Sequence, residues 1–535
     1  MSYLFKYLKK EPKLVMIVTL LTIITSSLRV THALINVSIF NALIKLQIDR
    51  FFKYVGLDIV VFAILSIFLI LLQIQTTKTV QYLSIDLRKD IINQIEKKRI
   101  TDFQKKDTGI YASWLTNDIT TIENQGFYNI LQAIQIITDP LFSIVALVQF
   151  SWTFVPLILI VSLLTVLLPQ IIHKKLANAG LSTTKANERL LNVINDSLRG
   201  FTTFSIFGME RQLEKRIIGT ALSVANKKIK QEKYQAVANN LAGFSNIIGQ
   251  TGIQAWTGFL ALNKIISIGV IGSSGNLSYN VFNSLAVIAP IWTEMTALTP
   301  IFEKYHLDNN QNSKQEGYQL TDFKFKSLST RNLQMTFDHK RIFQHPLNIK
   351  INTNEKVGIY GQSGSGKSTL LKIISGQIQN YQGSIRLNNI EEKEISYDSL
   401  RQTAIYIDQT PYLFDDTVLY NLTLGENFPS EQINSVLEKI DLVDFVNQLP
   451  QGLNTQIGEG GASLSGGQKQ RLALARGLLR KKSLFLFDES TSNLDKKTAL
   501  KVENDFLKQK DITVIFVSHQ LHEENKDRFD QLLEV

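Results

Sequence analysis

A glycine-rich stretch in the second half of the chain has the composition of a phosphate-binding loop. It follows a short apolar run, 356–360, and precedes a helical pattern that starts at Leu370; its residues are Gly361, Gln362, Ser363, Gly364, Ser365, Gly366, Lys367, Ser368 and Thr369. Glycines let backbone N–H groups surround a phosphate, and the helix that follows adds its N-terminal dipole. The P-loop spacing predicts that Lys367 contacts the β- and γ-phosphates of a nucleotide and that Ser368 binds Mg²⁺.

Two adjacent carboxylates, Asp488 and Glu489, follow the uniformly apolar run 484–487. Such a run is typical of a central strand in a parallel sheet, and ligands of these sheets bind at the carboxyl ends of the strands. We therefore expect both side chains at the nucleotide, with Asp488 in the Mg²⁺ shell and Glu489 polarising the attacking water.

A third motif is the one that is most specific to a single protein family. It precedes a helical run and consists of Leu464, Ser465, Gly466, Gly467 and Gln468. A hydroxyl and glycine N–H groups at a helix start can bind an anion, as the P-loop does. The string resembles the signature motif of ABC transporters, which closes over the γ-phosphate of ATP held by the opposite subunit. The resemblance implies two ATPase domains, of which this chain contains one.

Further positions resemble the same family in the same order. Gln409 matches the Q-loop glutamine, which implies a role as a Mg²⁺ ligand, and the stretch 455–460 resembles a loop typical of exporters. Asp495 matches the D-loop, and His519 matches the switch histidine near the γ-phosphate. The resemblance thus implies ATP and Mg²⁺ as cofactors and Glu489 and His519 as catalytic residues.

The aromatic residue that stacks on adenine in relatives is commonly tyrosine. The nearest match here is Phe337, with Phe343 as the weaker candidate. Stacking requires a ring and no hydroxyl, so the substitution is compatible with ATP binding.

The first 300 or so residues contain six long apolar segments. Each is close to the ~20 residues that a helix needs to cross the hydrocarbon core of a membrane. The fifth is the weakest, because Asn246, Gln250 and Gln254 interrupt it. The segments lie at about 14–39, 57–74, 130–150, 154–172, 241–262 and 279–301.

The net charge of +10 lies largely in the segments next to these apolar runs. Basic connections favour the cytoplasmic side, which places both termini and the ATPase domain in the cytoplasm and the spans in the cytoplasmic membrane. The same placement argues against nucleic acid as a partner. The chain has no cysteine, which excludes disulfides and thiolate sites.

The long connections after the second and fourth segments show apolar positions at helical spacing, so we expect the membrane helices to continue through them. Six helices with two long loops resemble the exporter fold of ABC transporters. The stretches 108–118 and 200–211 are similar to those that hold coupling helices, which dock on the ATPase domain. The predicted domains are an all-α transmembrane domain at 1–305, a linker at 306–322 and an α/β P-loop ATPase domain at 323–535.

Ionisable residues inside membrane spans are energetically costly and therefore informative. Arg29, Asp139 and Glu294 lie in predicted spans, as does His32. They either line a polar cavity that contacts the substrate, or they pair with one another or reach water at the helix ends, and the sequence does not separate these interpretations.

The sequence thus predicts a multidomain membrane protein that exports an unknown substrate with energy from ATP hydrolysis, with a homodimer favoured over a heterodimer. The alternatives are an importer built on the exporter fold and one subunit of a heterodimeric exporter. A non-transporting ATPase is disfavoured by the six apolar segments, and hydrolysis stimulated by a substrate would disfavour an ATP-gated channel or sensor.

Overall fold

The computed structural model describes residues 2–106, 108–305, 324–337, 340–362, 364–491, 496–518 and 522–535. They fall into two compact units. The first contains residues 2–97 and 108–305, and the second contains residues 98–106 and those from 324 onward. The predicted linker, 306–322, lies outside the described residues.

The first unit is built from long helices. Two π-helical turns, Trp114–Asp118 and Glu123–Phe127, connect three of its helices into one continuous rod. In chain order the helices are α1 Ser2–Leu8, α2 Pro12–Ile44, α3 Ile48–Glu96, α4 Ile100–Gln104 (which belongs to the second unit), α5 Thr108–Ser113, α6 Ile119–Ile122, α7 Tyr128–Phe150, α8 Phe154–Arg199, α9 Phe201–Ile206, α10 Glu210–Leu262, α11 Val270–Ala297 and α12 Thr299–Lys304.

Five stretches of the described helices are long and apolar enough to cross a membrane: Pro12–Ile44, Ile48–Glu96, Thr108–Phe150, Phe154–Ile172 and Val270–Lys304. The predicted fifth span, 241–262, forms the end of α10 but does not reach this hydropathy. Its polar side chains explain the difference. Asn246 is buried and accepts a hydrogen bond from Gln250 at 2.7 Å, and Gln254 lies against Gly275 of α11.

A close approach of three helices forms part of the core of this unit. A Cβ atom at Gly249 of α10 would lie 2.5 Å from Val161 Cγ1 and 2.6 Å from Phe282 Cε2. Only glycine lets α10 pack this closely on α8 and α11, and Ile253 continues the contact one turn later. The prediction that the membrane helices extend into the polar connections is confirmed, since α3 continues to Glu96 and α8 to Arg199.

The second unit alternates strands and helices, as predicted for an α/β domain. Its elements after α4 are β1 Ser327–Gln334, β2 Thr336–Phe337, β3 Lys340–Arg341, β4 Lys350–Asn352, β5 Lys356–Tyr360, α13 Lys367–Ile374, β6 Gln382–Leu387, β7 Ile390–Glu391, α14 Tyr397–Thr403, β8 Ala404–Ile407, α15 Val418–Thr423, α16 Ser430–Lys439, α17 Val443–Gln448, α18 Gly466–Leu479, β9 Leu484–Asp488, α19 Lys496–Leu507, β10 Thr513–Ser518, α20 Glu523–Lys526 and β11 Gln531–Glu534.

A five-stranded parallel sheet, in the order β11-β5-β10-β9-β8, forms the centre of this unit, beside a four-stranded antiparallel sheet in the order β4-β1-β6-β7. Every residue of β9 is buried, as predicted from its apolar run. The register aligns Val517 of β10 with Ile359 of β5 and Asp488 of β9. The carboxyl ends of these three strands therefore meet at one edge, where the predicted functional residues follow.

The coupling segment differs from the expectation. Residues 108–118 form α5 and the first π-helical turn of the first unit, whereas the short helix that packs with the ATPase unit is α4. Thr101 Oγ1 donates a hydrogen bond to Gln377 O at 3.0 Å, and the Arg99 guanidinium lies 5.6 Å from the centre of the Tyr397 ring. Arg99 belongs to the basic run 97–99, directly before α4, and makes this cation–π contact. The family resemblance did not identify this run as part of a docking segment.

Candidate nucleotide-binding site

The P-loop connects β5 to α13 through backbone conformations that favour glycine. Gly364 has a φ of +83° and Gly366 a φ of +96°. A Cβ atom at Gly366 would also lie 2.6 Å from Ile342 Cγ2 and 2.9 Å from Phe343 Cε1. The loop therefore turns directly into the N-terminus of α13, where backbone N–H groups are available for an anion.

Lys367 is the first residue of α13 and is only 3% exposed. Its ammonium group donates to Gly361 O at 3.0 Å and to Gln362 O at 2.8 Å, so it lies over the loop. The hydroxyl of Ser365 is buried and has no hydrogen-bond partner among the described residues. A cation, an unsatisfied buried hydroxyl and a helix N-terminus together fit the phosphates of a nucleotide. Ser363 lies outside the described residues.

Asp488 is the centre of a hydrogen-bond network at the sheet edge and is 7% exposed. Its Oδ1 accepts a hydrogen bond from Ser368 Oγ at 2.7 Å, and its Oδ2 accepts one from the Tyr406 hydroxyl. The structure thus brings Ser368 and Asp488 together as predicted. Hydroxyl and carboxylate oxygens are the ligands that Mg²⁺ prefers, so this donor set fits the ion.

Sequence reasoning missed Tyr406. It lies on β8, which runs parallel to β9 and pairs Tyr406 with Leu486, two residues before Asp488. The pKa of the Tyr406 hydroxyl is raised above its ordinary value. Burial is the largest cause, and the hydrogen bond to Asp488 is the next. The hydroxyl therefore remains a donor to the carboxylate. The sequence contains a tyrosine three residues before Gln409. Its contact with Asp488 can be inferred only when the pairing of β8 with β9 is known.

Glu489 adopts a left-handed backbone conformation, with a φ of +46°. Its N–H donates to Val517 O at 3.0 Å, which ties the residue to the end of β10. A non-glycine residue in this conformation stores strain of a kind that clusters at functional sites. The turn places Glu489 directly after the Asp488 network.

The signature residues form the start of α18. Ser465 is its N-cap and makes a reciprocal capping box: its Oγ accepts from Gln468 N at 3.3 Å, and its N–H donates to Gln468 Oε1 at 2.8 Å. Ser465 and Gly466 are exposed, whereas Leu464 is buried. A Cβ atom at Gly467 would lie 2.7 Å from Thr498 Cγ2, so this glycine allows α18 to pack against α19. The motif thus has an exposed tip, formed by Ser465 and Gly466, and a buried part, formed by Leu464 and Gly467.

Gln470, also missed from the sequence, connects α18 to the Q-loop. Its side chain is buried, and its Nε2 donates to Gln409 O at 2.7 Å and to Asp408 O at 3.4 Å. The backbone of Gln409, the predicted Mg²⁺ ligand, is therefore fixed by the helix that carries the signature.

A buried carboxylate forms a second unpredicted network. Glu503 of α19 is 2% exposed and accepts hydrogen bonds from Thr491 Oγ1 at 3.0 Å and Asn525 Nδ2 at 3.0 Å, and its Oε1 lies 2.9 Å from His522 Nδ1. Along the chain these partners flank Asp495 and His519, which both lie outside the described residues.

The two candidates for adenine stacking have different positions. Phe337 ends β2, where it pairs with Lys340 of β3. Phe343 is 1% exposed, lies in the core and packs against Gly366. Its ring has no free face for a base, so Phe337 is the better candidate of the two.

The ionisable residues of the predicted spans have polar partners. Arg29 Nη1 lies 2.6 Å from Asp139 Oδ2, and Glu294 Oε2 accepts a hydrogen bond from Asn129 at 2.8 Å. His32 Nδ1 lies 2.7 Å from Asp58 Oδ1. Arg29 and Asp139 thus pair with each other, whereas the partner of Glu294 is an amide.

Two family models match the chain. One, described as ABC transporter, matches residues 344–492, and the other, ABC transporter transmembrane region, matches residues 15–285. The first covers the P-loop, the signature and Asp488, and the second covers most of the helical unit.

The chain is similar to several characterised transport proteins. It is 29% identical over 357 residues to the pediocin PA-1 transport/processing ATP-binding protein PedD of Pediococcus acidilactici, across 64% of this chain and 48% of that protein. It therefore spans about half the length of that relative. It is 24% identical over 463 residues to the ATP-dependent lipid A-core flippase of Francisella tularensis subsp. holarctica (strain OSU18), across 82% of this chain and 74% of the flippase.

The fold matches a solved structure of a bacterial Atm1-family ABC exporter with ATP bound. The TM-score is 0.80 at 19% sequence identity, over 97% of this chain and 94% of the other. This likeness shows the exporter fold, a helical transmembrane domain followed by an α/β ATPase domain. Together with the matching family models, it shows that the chain belongs to the ABC transporter family, as a multi-spanning half-transporter of the exporter fold whose ATPase is coupled to transport.

Proposed function

We propose that this chain exports a substrate across the cytoplasmic membrane as one half of a homodimer. The observation that carries the proposal is that one ATPase unit has two helix starts suited to anions, and they belong to different hydrogen-bond networks. Lys367 and Ser368 lie at the edge of the parallel sheet beside Asp488, whereas Ser465 and Gly466 are exposed at the start of α18. An exposed tip of this kind suits a phosphate held by a second chain.

Each residue of the site has a distinct role in this proposal. The P-loop holds the phosphates of ATP, and Phe337 stacks on adenine. Ser368, Gln409 and Asp488 would hold Mg²⁺, which would supply positive charge against the phosphates. Glu489 orients and polarises the attacking water, and His519 contacts the γ-phosphate. Asp495 belongs to the D-loop between the two ATPase domains.

Transport follows from a shift between two conformations. ATP binds more tightly to the state in which the two ATPase domains are closed, so its binding favours that state, and hydrolysis reverses the preference. The contacts of Arg99 and Thr101 within the ATPase unit support a mechanical connection through α4. The basic connections support a cytoplasmic ATPase domain.

The dimer is tested by mixing two inactive variants, Lys367→Ala and Ser465→Ala, in equal amounts before reconstitution. In a mixed dimer, the intact P-loop of one chain faces the intact signature of the other. We expect each variant alone to be nearly inactive in ATP hydrolysis and the mixture to recover part of the wild-type rate.

The double variant Lys367→Ala/Ser465→Ala mixed with wild type is the matched control, because no mixed dimer then gains a site. An unrecovered rate, with mixed dimers confirmed by differential tags, contradicts a site built from two chains. The direction of transport is tested separately in inside-out vesicles, where ATP-dependent uptake of a substrate that stimulates hydrolysis supports export and ATP-dependent loss supports import.

A further inference from the structure

Gln470 is a buried amide between the helix that carries the signature, α18, and the loop that follows β8. It is 2% exposed, and its Nε2 donates to Gln409 O at 2.7 Å and to Asp408 O at 3.4 Å. Its Oε1 is buried and has no hydrogen-bond partner among the described residues. Burying an amide that leaves one polar atom without a partner is unfavourable, so packing alone does not explain Gln470 at this position.

The loop 408–412 starts where the pairing of β8 with the sheet ends. Ile407, the last residue of β8, pairs with Phe487 of β9, which directly precedes Asp488. Gln409 therefore follows β8 by two residues, at the same edge of the sheet as Asp488. Since the loop has left the ladder between β8 and β9, contacts from other elements determine where its backbone lies.

Helix α18 supplies such contacts at both ends of the loop. Gln470 holds the first end, and Arg476 Nη1 donates to Tyr412 O at 2.8 Å at the other. Ser465, the exposed N-cap of α18, precedes Gln470 by five residues, or about 7.5 Å along the helix axis. Because α18 is one continuous helix, a displacement of its start is transmitted to both contacts with the loop.

We propose that Gln470 is a positioning residue for Gln409 of its own chain. It fixes the Gln409 backbone at the sheet edge beside Asp488, and a partner that orients a metal ligand contributes to metal affinity. The inference rests on the proposed function, in which Gln409 is a ligand of Mg²⁺. The same contact connects the metal site to Ser465, so a phosphate held at the start of α18 acts on the metal site of the chain that carries it.

The first test measures nucleotide binding, not hydrolysis. Gln470→Met keeps an unbranched side chain of similar size and removes the donor; Gln470→Glu keeps the shape and replaces the donor by an oxygen. The affinity of the full-length chain in nanodiscs for the non-hydrolysable analogue AMP-PNP is measured in Mg²⁺ and in EDTA. We expect both variants to show a roughly three- to tenfold smaller gain in affinity on addition of Mg²⁺, the effect of one lost hydrogen bond. Affinity in EDTA should remain at the wild-type value. An unchanged gain, or an equal loss of affinity in EDTA, overturns the proposal.

Gln432→Met is the matched control. Gln432 Nε2 donates at 2.8 Å to the carbonyl of Leu479, the last residue of α18, so this variant removes the same kind of bond at the other end of the helix. We expect its gain in affinity with Mg²⁺ to equal that of the wild type. An equal decrease in the Gln432 and Gln470 variants indicates a general loosening of α18 and contradicts a specific role of Gln470.

A double-mutant cycle separates this inference from the proposed function. Gln409→Met should lower the gain with Mg²⁺, and the double variant Gln409→Met/Gln470→Met should lower it no further, because Gln470 acts through Gln409. If Gln409→Met has no effect, the assignment of Gln409 as a metal ligand fails, and the inference fails with it. If the two losses add, the metal ligand stands and the inference alone fails.

The mixture of Lys367→Ala and Ser465→Ala chains tests whether Gln470 acts within its own chain. Its mixed site takes the working P-loop, and the Gln409 beside it, from the Ser465→Ala chain. Gln470→Met on that chain should raise the Mg²⁺ concentration at half-maximal hydrolysis roughly three- to tenfold. On the Lys367→Ala chain it should have no effect. Equal effects on the two chains, or the reverse assignment, overturn positioning within one chain.

Discussion

The Tyr406 hydroxyl donates a hydrogen bond to Asp488 Oδ2, on the carboxylate whose other oxygen accepts from Ser368. Both donors approach a side chain that is almost fully buried at the end of β9. The two hydrogen bonds fix the Asp488 carboxylate from both sides, so Tyr406 helps to orient it toward Ser368.

The first prediction concerns this contact. Tyr406→Phe removes the donor with little change in volume and leaves Asp488 less well oriented. We expect a roughly three- to tenfold higher Mg²⁺ concentration at half-maximal hydrolysis, measured at fixed ATP. Tyr412→Phe is the matched control, since that side chain is exposed. An unchanged Mg²⁺ dependence of Tyr406→Phe shows that the phenol has no part in metal binding.

A second prediction concerns Glu489, which the left-handed turn places directly after this network. Glu489→Gln retains the shape of the side chain and removes its charge. We expect hydrolysis to fall by about 100-fold or more, because positioned acid–base groups contribute on this scale. ATP affinity, measured by equilibrium titration, should remain close to wild type. Normal turnover in this variant refutes the proposed role.

These contacts show which residues of the site could be predicted from the sequence alone. The P-loop, the signature and the buried strand before Asp488 are local patterns, so each was placed on the correct element. Tyr406 and Gln470 act through partners that only the packing of β8 and α18 brings near. Their importance could not be predicted without the register of the sheet.

The helical unit shows the same limit for a different reason. Hydropathy identified the apolar spans, but the end of α10 buries Asn246 and packs Gln254 against Gly275 of α11, so mean hydropathy alone does not identify it as a span. The family resemblance placed docking segments at 108–118 and 200–211, whereas in the first of these connections the contacts with residues of the ATPase unit come from Arg99 and Thr101, at the start of α4. A cation–π contact between residues so distant in sequence has no local signature.

The third prediction concerns the Glu503 network. In Glu503→Gln the oxygen can still accept from Thr491, but the new amide faces the donor of Asn525. A buried donor without an acceptor costs about 1–3 kcal/mol, so we expect a lower unfolding midpoint of the ATPase domain. Hydrolysis should also slow, since Thr491 and His522 flank Asp495 and His519 in the chain. Glu523→Gln, on an exposed side chain, serves as the control. Equal stability of the two variants contradicts a structural role for this carboxylate.

A fourth prediction tests the orientation in the membrane, and the absence of cysteine makes it simple. Lys264→Cys lies in the short connection between α10 and α11, and Lys227→Cys lies in the polar part of α10; both lysines are exposed. We expect a membrane-impermeant maleimide to label the first in intact cells and the second only after permeabilisation, as the positive-inside tendency requires. The reverse pattern overturns the proposed cytoplasmic location of the ATPase domain.

The last prediction concerns pH and Glu392, which is fully buried and accepts a hydrogen bond from the Tyr381 hydroxyl at 2.8 Å. Burial raises the pKa of Glu392 above its ordinary value of 4.5, against the opposing effects of that hydrogen bond and of Arg99. Below pH 4.5 the carboxyl is protonated in both the folded and the unfolded chain. As the pH rises from there to the raised pKa, the unfolded chain loses its proton first, so the free energy of unfolding falls.

Glu392→Gln removes this titration and keeps an acceptor for Tyr381. We therefore expect the unfolding midpoint of the wild type, relative to the variant, to decline from pH 4.5 upward and to level off above the raised pKa. Thermal unfolding of both proteins across this range measures the difference, and a constant difference at all pH values contradicts a raised pKa at this site.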